Sequence, residues 1–268
     1  MKIIKVNLPK EQDEIIICPF FDLHIGDPAC DIQAIENDIK FVQETPNAYA
    51  VLGGDIMDNA TKSSIGDTYR APLTPQQQLE QACAYFAPIK NKIIGIVSGN
   101  HEERTWRESG IDLMGCMAMQ LGIENKYANE GAVLFIKFGH NRVQTNKQKG
   151  YYQNQYTIYV THGAGGARKV GGKANRLYDT GDIVDCDCVI IGHTHEPICF
   201  KKTFYRTDLT KQSVTEKERL YVNTGSYLKY AGYAERKGYL PSARVMPKIY
   251  LSGKWKKGCK DVVAQVIM

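Results

Sequence analysis

The sequence predicts an α/β fold in which two sheets face each other and helices cover the outside. Three features predict it. Strand and helix patterns alternate through the first half. The second half is rich in short strand patterns with few long helical ones. Five of the strand-like runs are followed at once by a block of glycine, histidine and aspartate.

Taken in order, Ile15-Ile16-Ile17-Cys18 reads as a buried strand. Asp31 can cap a helix whose apolar residues Ile32, Ile35, Ile39 and Phe41 recur at near-helical spacing. Residues 48–52 form the next strand. Thr74-Pro75-Gln76-Gln77 is a helix start, with Thr74 as cap, Pro75 in the first turn and Gln77 completing a capping box. Residues 93–97 read as a strand and 111–121 as a helix. A β-α-β-α-β order implies a mostly parallel sheet covered by helices.

Further strands are expected at 133–138, 156–160, 189–191, 197–204, 220–222, 248–251 and 262–267, forming a second, more antiparallel sheet. The polar stretch 140–154 reads as a surface loop, and no internal repeat or linker interrupts the chain. A length of 268 residues suits one large core, so a single domain over 1–268 is expected, with a basic, mostly β portion from about residue 196.

Charge is unevenly placed. Residues 1–195 hold 19 Lys/Arg against 23 Asp/Glu, whereas residues 196–268 hold 15 against 6, so the basic end can attract a phosphate-rich partner. The eight cysteines include no CxxC pair, and Cys186-Asp187-Cys188 is too closely spaced for a usual structural zinc site. Buried or half-buried free thiols are the expectation. No apolar run is long enough to cross a bilayer, and Pro9-Lys10-Glu11 interrupts any secretory pattern, so a cytoplasmic protein without membrane association is expected. Oligomeric state leaves no trace in the sequence.

The blocks after the strands carry the chemistry. In Asp22-Leu23-His24, residues i and i+2 of an extended segment point the same way, so a carboxylate and an imidazole can face one ion. Gly53-Gly54-Asp55-Ile56-Met57-Asp58 follows the second strand, and Ser98-Gly99-Asn100-His101-Glu102 the third. Thr161-His162-Gly163 and Ile191-Gly192-His193-Thr194-His195 come later. Loops at the carboxyl ends of parallel strands converge, and ligands collect there. A lone histidine after a strand is more often a hydrogen-bonding or surface group. Here five of six histidines occupy such positions, with Asp22, Asp55 and Asn100 beside them, which points to a metal centre.

These five blocks, in this order over most of residues 15–195, resemble the calcineurin-like metallophosphoesterase superfamily. The likeness implies a four-layer α/β/β/α sandwich with two mixed sheets. Asn223-Thr224-Gly225-Ser226 is similar to the loop after the family's last histidine block. Residues 227–253, with Gly232-Tyr233-Ala234-Glu235-Arg236, resemble the tail of phage-encoded or prophage members, and a phage-type or DNA-repair exonuclease-like member is the expectation for the chain.

Carried over by position, the resemblance implies two divalent ions. Asp22, His24 and His195 would hold one; Asn100, His162 and His193 would hold the other; Asp55 would bridge them. Manganese is the first expectation, and the mixed nitrogen and oxygen donors also suit iron, zinc or nickel. The family's chemistry is attack on phosphorus by a hydroxide bridging the ions. His101 would assist at a phosphate or leaving-group oxygen, oriented by Asp58.

For the substrate, Arg104 can clamp phosphate or simply begin a helix. The glycine-rich stretch 163–176 places Arg168, Lys169, Lys173 and Arg176 next to His162 and can grip the phosphates of DNA or RNA. Tyr151, Tyr152, Tyr227, Tyr230 and Tyr233 can stack bases or fill core and rim. A phosphodiesterase, specifically a nuclease, is the leading expectation. A phosphomonoesterase fits less well, because phosphatases of this family usually follow the second carboxylate of the Asp55 block with arginine, and here Asn59 stands there. A small-nucleotide or pyrophosphate hydrolase is permitted by the same motifs. A metal-free scaffold would show substituted ligands, and every ligand position is filled.

Overall fold

The computed structural model describes residues 1–268 except 63, 65–67, 70, 145–148, 211, 255–261 and 266–268. Along the chain run β1 (Lys2–Asn7), β2 (Glu14–Phe20), α1 (Ile32–Glu44), β3 (Ala48–Leu52), α2 (Pro75–Phe86), β4 (Ile93–Val97), α3 (Glu102–Ser109), α4 (Leu113–Leu121) and β5 (Tyr127–Ala128). There follow β6 (Gly131–Gln144), β7 (Lys149–Thr161), α5 (Val170–Gly181), β8 (Cys188–Ile191), β9 (Ile198–Asp208), β10 (Ser213–Asn223), α6 (Tyr233–Arg236), β11 (Lys248–Ser252) and β12 (Val262–Gln265).

Among the described residues these strands make two six-stranded mixed sheets. One has the order β12-β11-β2-β3-β4-β5, and the other β1-β6-β7-β8-β10-β9. In the first, β2, β3, β4 and β5 run parallel and β11 antiparallel to β2. In the second, β7, β8 and β10 run parallel, and β6 and β9 pair antiparallel with β7 and β10.

Strand alternation builds the layers. Ile15 and Ile17 of β2 enter the cluster between the sheets with Val51, Leu134, Ile136, Ile158, Ile190 and Val222. Ile16, Cys18 and Phe20 point the other way, into a cluster with Ile35 and Ile39 of α1, Leu79 and Phe86 of α2 and Met117 of α4. On the far side, Val133, Tyr159, Val189 and Tyr221 pack on Leu177 of α5. The order is therefore helices, sheet, sheet, helix: the expected α/β/β/α sandwich.

Local signals explain the first half. Asp31 accepts the Ala34 amide at the start of α1, and Thr74 with Gln77 forms the capping box that starts α2. Asp112 caps α4 by accepting the Gly115 amide, so that helix starts two residues later than the sequence pattern suggests.

Three expectations need correction. The stretch 140–154 is not a surface loop over its described residues, because β6 and β7 pair through Gln144↔Lys149 and carry it as a hairpin. The glycine-rich stretch becomes helical at Val170, despite Gly171 and Gly172, since buried Leu177 anchors α5 to the sheet. Burying one such leucine is worth roughly 1.5–3 kcal/mol, which offsets the ~1 kcal/mol that each of the two helical glycines costs. β1, which the sequence pattern did not announce, pairs parallel with β6 through Ile3↔Val133 and Ile4↔Leu134.

Candidate metal centre

The strands β2, β3 and β4 of one sheet, and β7 and β8 of the other, end at a common edge, and each is followed by one of the five blocks that supply histidine, aspartate or asparagine. The first two blocks stay paired beyond their strands. The Asp22 amide donates to the Gly54 carbonyl at 3.1 Å, the His24 amide to Asp55 at 3.0 Å and the Ile25 amide to Ile56 at 2.9 Å. Leu23 is buried in the core while Asp22 and His24 both reach the cluster, although the segment is not the extended one that their spacing suggests.

Turning the side chains inward demands unusual backbone. Asp22, His24, Asp55, His193 and His195 all have positive φ, between 48° and 66°. The left-handed region costs a residue with a β-carbon on the order of 1–2 kcal/mol, and such outliers cluster at functional sites. Close backbone approach is also needed. A β-carbon on Gly99 would lie 2.3 Å from the Asp55 nitrogen, and one on Gly54 would lie 2.4 Å from the Gly99 nitrogen.

The side chains gather into groups with metal-ligand spacing: Asp22, His24 and His195; Asp55, His162 and His193; and His24, Asp58 and His101. His195 Nε2 is 3.3 Å from Asp22 Oδ1 and 3.2 Å from His24 Nε2. His162 Nε2 is 3.2 Å from Asp55 Oδ2 and 4.0 Å from Asp22 Oδ1, which places it between the first two groups. Asn100 Oδ1 lies 3.1 Å from His162 Nε2 and 2.7 Å from His193 Nδ1, so Asn100 joins the second group. His162 donates Nδ1–H to the Gly53 carbonyl at 2.9 Å, which turns its Nε2 toward the cluster.

This donor set fits divalent cations. Asp22 Oδ1 and His24 Nδ1 are buried without a hydrogen-bond partner, a costly condition that a cation beside them would relieve. Imidazole nitrogens with carboxylate and amide oxygens suit first-row transition ions.

Electrostatics tie the cluster together. Burial alone would raise the Asp22, Asp55 and Asp58 carboxyls, but the surrounding histidines outweigh it and hold all three below the ordinary carboxylate range. Burial lowers His162, yet Asp55 and Asp22 together push it up to about 10. His24 is lowered by burial and by His101.

His101 sits at the edge of the cluster. Its Nδ1–H donates to the Asp58 carbonyl at 2.6 Å and lies 3.3 Å from Asp58 Oδ1, while Nε2 is 3.7 Å from Asp55 Oδ2. Desolvation pulls its pKa down, but the Asp55 and Asp58 carboxylates raise it above the ordinary value.

Residues expected at the substrate are more dispersed. Arg104 Nη1 donates to the backbone carbonyls of Asp58 and Asn59, at 3.0 and 3.4 Å. Lys173 pairs with Glu196 at 2.9 Å, so it links α5 to the residue after His195. Arg168 rests over the Tyr239 ring at 5.3 Å. Lys169 is exposed at the start of α5. Arg176 folds back toward Gly165, where an added β-carbon would come within 2.8 Å of its Nε. Tyr227 is a core residue that stacks on Phe20 and donates to Asp38 at 2.9 Å, which removes it from the candidate base-stacking tyrosines. Tyr230 is exposed; the side chains of Tyr151, Tyr152 and Tyr233 lie outside the described residues.

Glu102 holds the centre together without belonging to any of the three side-chain groups. Its buried carboxylate accepts the amides of Asp55 and Gly99, both at 3.0 Å, and of Met57 at 2.9 Å. It staples the loop after β3 to the loop after β4. An acid in the first turn of an otherwise polar helix was the available signal.

A sandwich with clustered histidines and aspartates at its strand ends defines a metal-dependent enzyme of the phosphoesterase type. The chain belongs to the calcineurin-like phosphoesterase family, whose model matches residues 23–197. Among curated proteins none matches. A predicted phosphoesterase from Streptococcus pneumoniae is similar at 12% identity, covering 94% of this chain and 98% of that one, with a TM-score of 0.35. Wild-type Vps29 complexed with zinc, from Entamoeba histolytica, is 9% identical over 94% of this chain and 99% of its own, at 0.39. Among the described residues, no helix is long and apolar enough to cross a membrane.

Proposed function

We propose that the chain is a phosphodiester hydrolase acting on nucleic acid. The observation that carries this reading is the placement of positive charge. At the cluster, the position after Asp58 holds Asn59, which is buried and bonded to His101 and Thr105. Arg104 gives Nη1 to the protein backbone. A monoester dianion therefore gains no arginine at position 59, whereas a diester carries one charge fewer and needs none. Along the flank, Arg168, Lys169 and Arg176 leave the His162 loop, and Arg168 meets Tyr239 of the segment that carries Lys229, Arg236 and Lys237. Dispersed cations suit the repeated phosphates of a polynucleotide. The likeness of residues 227–253 to the tail of phage-encoded members supports the same reading.

In this reading Asp22, His24 and His195 hold one divalent cation, and Asn100, His162 and His193 a second, with Asp55 between them. Manganese is the first candidate. When bound, such a pair supplies Lewis acidity toward phosphate and acidifies a water. The chain does the rest. The Gly53 carbonyl fixes the His162 tautomer, and Glu102 fixes the Asp55 loop. The Asp58 carbonyl accepts a hydrogen bond from His101 Nδ1–H, and the Asp55 and Asp58 carboxylates favour the imidazolium, whose Nε2 proton can pass to the departing oxygen and leave a neutral ring.

The test is a substrate panel in manganese. Bis-p-nitrophenyl phosphate and single- or double-stranded DNA should be cleaved in preference to p-nitrophenyl phosphate and dinucleoside polyphosphates. Strong monoester turnover with diester and DNA untouched would overturn the reading. His101→Ala should cut turnover about 10²–10⁴-fold while metal content persists, as expected for loss of a proton-transfer group. Asp55→Ala should remove both.

A further inference from the structure

Helix α2 turns an apolar face to its sheet, with Leu79, Ala82, Cys83 and Phe86 buried, yet the same face carries Gln78 at 1% exposure. A buried amide costs about 1–3 kcal/mol unless both ends are paired. Here both are. Gln78 Oε1 accepts the Asn59 amide at 2.8 Å, and Nε2 donates to the Leu73 carbonyl at 3.0 Å. Room for the side chain comes from Gly26, where a β-carbon would lie 2.3 Å from Gln78 Nε2.

Asn59 carries the connection onward. Its backbone is left-handed, with φ 45°, a conformation that the Gln78 bond helps to hold. Asn59 Nδ2 donates to the His101 carbonyl at 2.6 Å, and Oδ1 accepts the Thr105 hydroxyl at 3.0 Å. His101 is thus gripped twice, by its carbonyl through Asn59 and by its ring through the carbonyl of the adjacent Asp58. A shift of the backbone at 58–59 would move both grips together.

We propose that Gln78, acting through Asn59, is a positioning residue for His101. This inference rests on the assignment of His101 as the proton-handling group. It gives Asn59 a use other than phosphate contact, and it connects α2, which supplies none of the cluster's ligands, to the geometry of the reaction. Displacements well below 1 Å at such a group lower rates strongly, without touching the cations' ligands.

The test compares Gln78→Leu, Gln78→Glu, Thr105→Val and the Gln78→Leu/Thr105→Val double variant in the full chain. Gln78→Leu should lower kcat on bis-p-nitrophenyl phosphate about tenfold or more, with KM and manganese stoichiometry within twofold of the parent. Gln78→Glu keeps the acceptor for the Asn59 amide, but only its protonated form also donates to the Leu73 carbonyl. It should therefore recover part of that loss, and more of it at low pH than at high. Thr105→Val should act in the same direction but less. The double variant should lose less than the product of the single losses, because both act through Asn59. An unchanged kcat in folded, metal-loaded Gln78→Leu would overturn the proposal. So would multiplicative losses, or a loss that tracks metal content. The ¹⁵N resonance of His101 Nδ1, read without substrate, should move in Gln78→Leu. A stationary resonance also counts against the relay, and this readout separates its failure from failure of the diesterase reading.

Discussion

Glu102 shows how one carboxylate can set the shape of a centre that it does not enter. Three backbone amides from two loops end on its two oxygens, and it is buried. Glu102→Gln keeps the volume but turns one oxygen into a donor, which then faces amide protons. The expected cost is roughly 2–4 kcal/mol, read as a lower urea midpoint, together with weaker manganese binding. An unchanged midpoint would deny the staple. The five ligand-bearing blocks were legible in the sequence, because residue type and spacing after strand patterns carry the signal. Glu102, Asn59 and Gln78 were not. Their importance lies in contacts across 47, 42 and 19 positions of sequence, and nothing local marks a glutamine that reaches another loop.

At the scale of elements, α1 and the segment after β10 meet at Asp38. Tyr227, stacked on Phe20, donates to its carboxylate, and Lys248 lies 3.9 Å away. Burial raises the Asp38 pKa above 3.8, against the opposing effects of Tyr227 and Lys248. A raised carboxyl pKa contributes stability that is complete below the unfolded value and is lost as pH rises through the folded value. Asp38→Asn keeps an acceptor for Tyr227 and removes this loss. Its stability relative to the parent should therefore improve as pH climbs from about 4 toward neutrality. Parallel stability–pH curves from chemical denaturation would refute the assignment. Elements with strong local chemistry, such as the capped α1 and α2, could be read in advance. α5 and the outer part of β6 and β7, within 140–154, could not, although the sequence predicts their inner strands at 133–138 and 156–160, since glycines and polar residues hid elements held by tertiary packing and cross-strand pairing.

For the molecule as a whole, the arrangement of layers followed from strand alternation, while the membership of β1 in the second sheet required the three-dimensional pairing. Left-handed backbone at five cluster residues and unpartnered buried atoms at Asp22 and His24 burden the fold at one edge. Cations that bind only the folded chain should offset that burden. Manganese at a hundred times its Kd should add about 2.7 kcal/mol, a rise in Tm of roughly 5–10 °C, reversed by a chelator and absent in Asp55→Ala. A Tm indifferent to manganese would leave the cluster without its proposed occupant.

The nearness of His24 Nε2 and His195 Nε2, at 3.2 Å across 171 positions, has a consequence for synthesis. While the ribosome is still making β7, the nascent polypeptide already holds Asp22, His24, Asp55 and His101 but lacks the partners supplied by β8. The full set of clustered side chains cannot exist until synthesis has passed His195. Strands of both sheets, β2 to β4 in one and β7 and β8 in the other, must therefore be in place before the cluster can close.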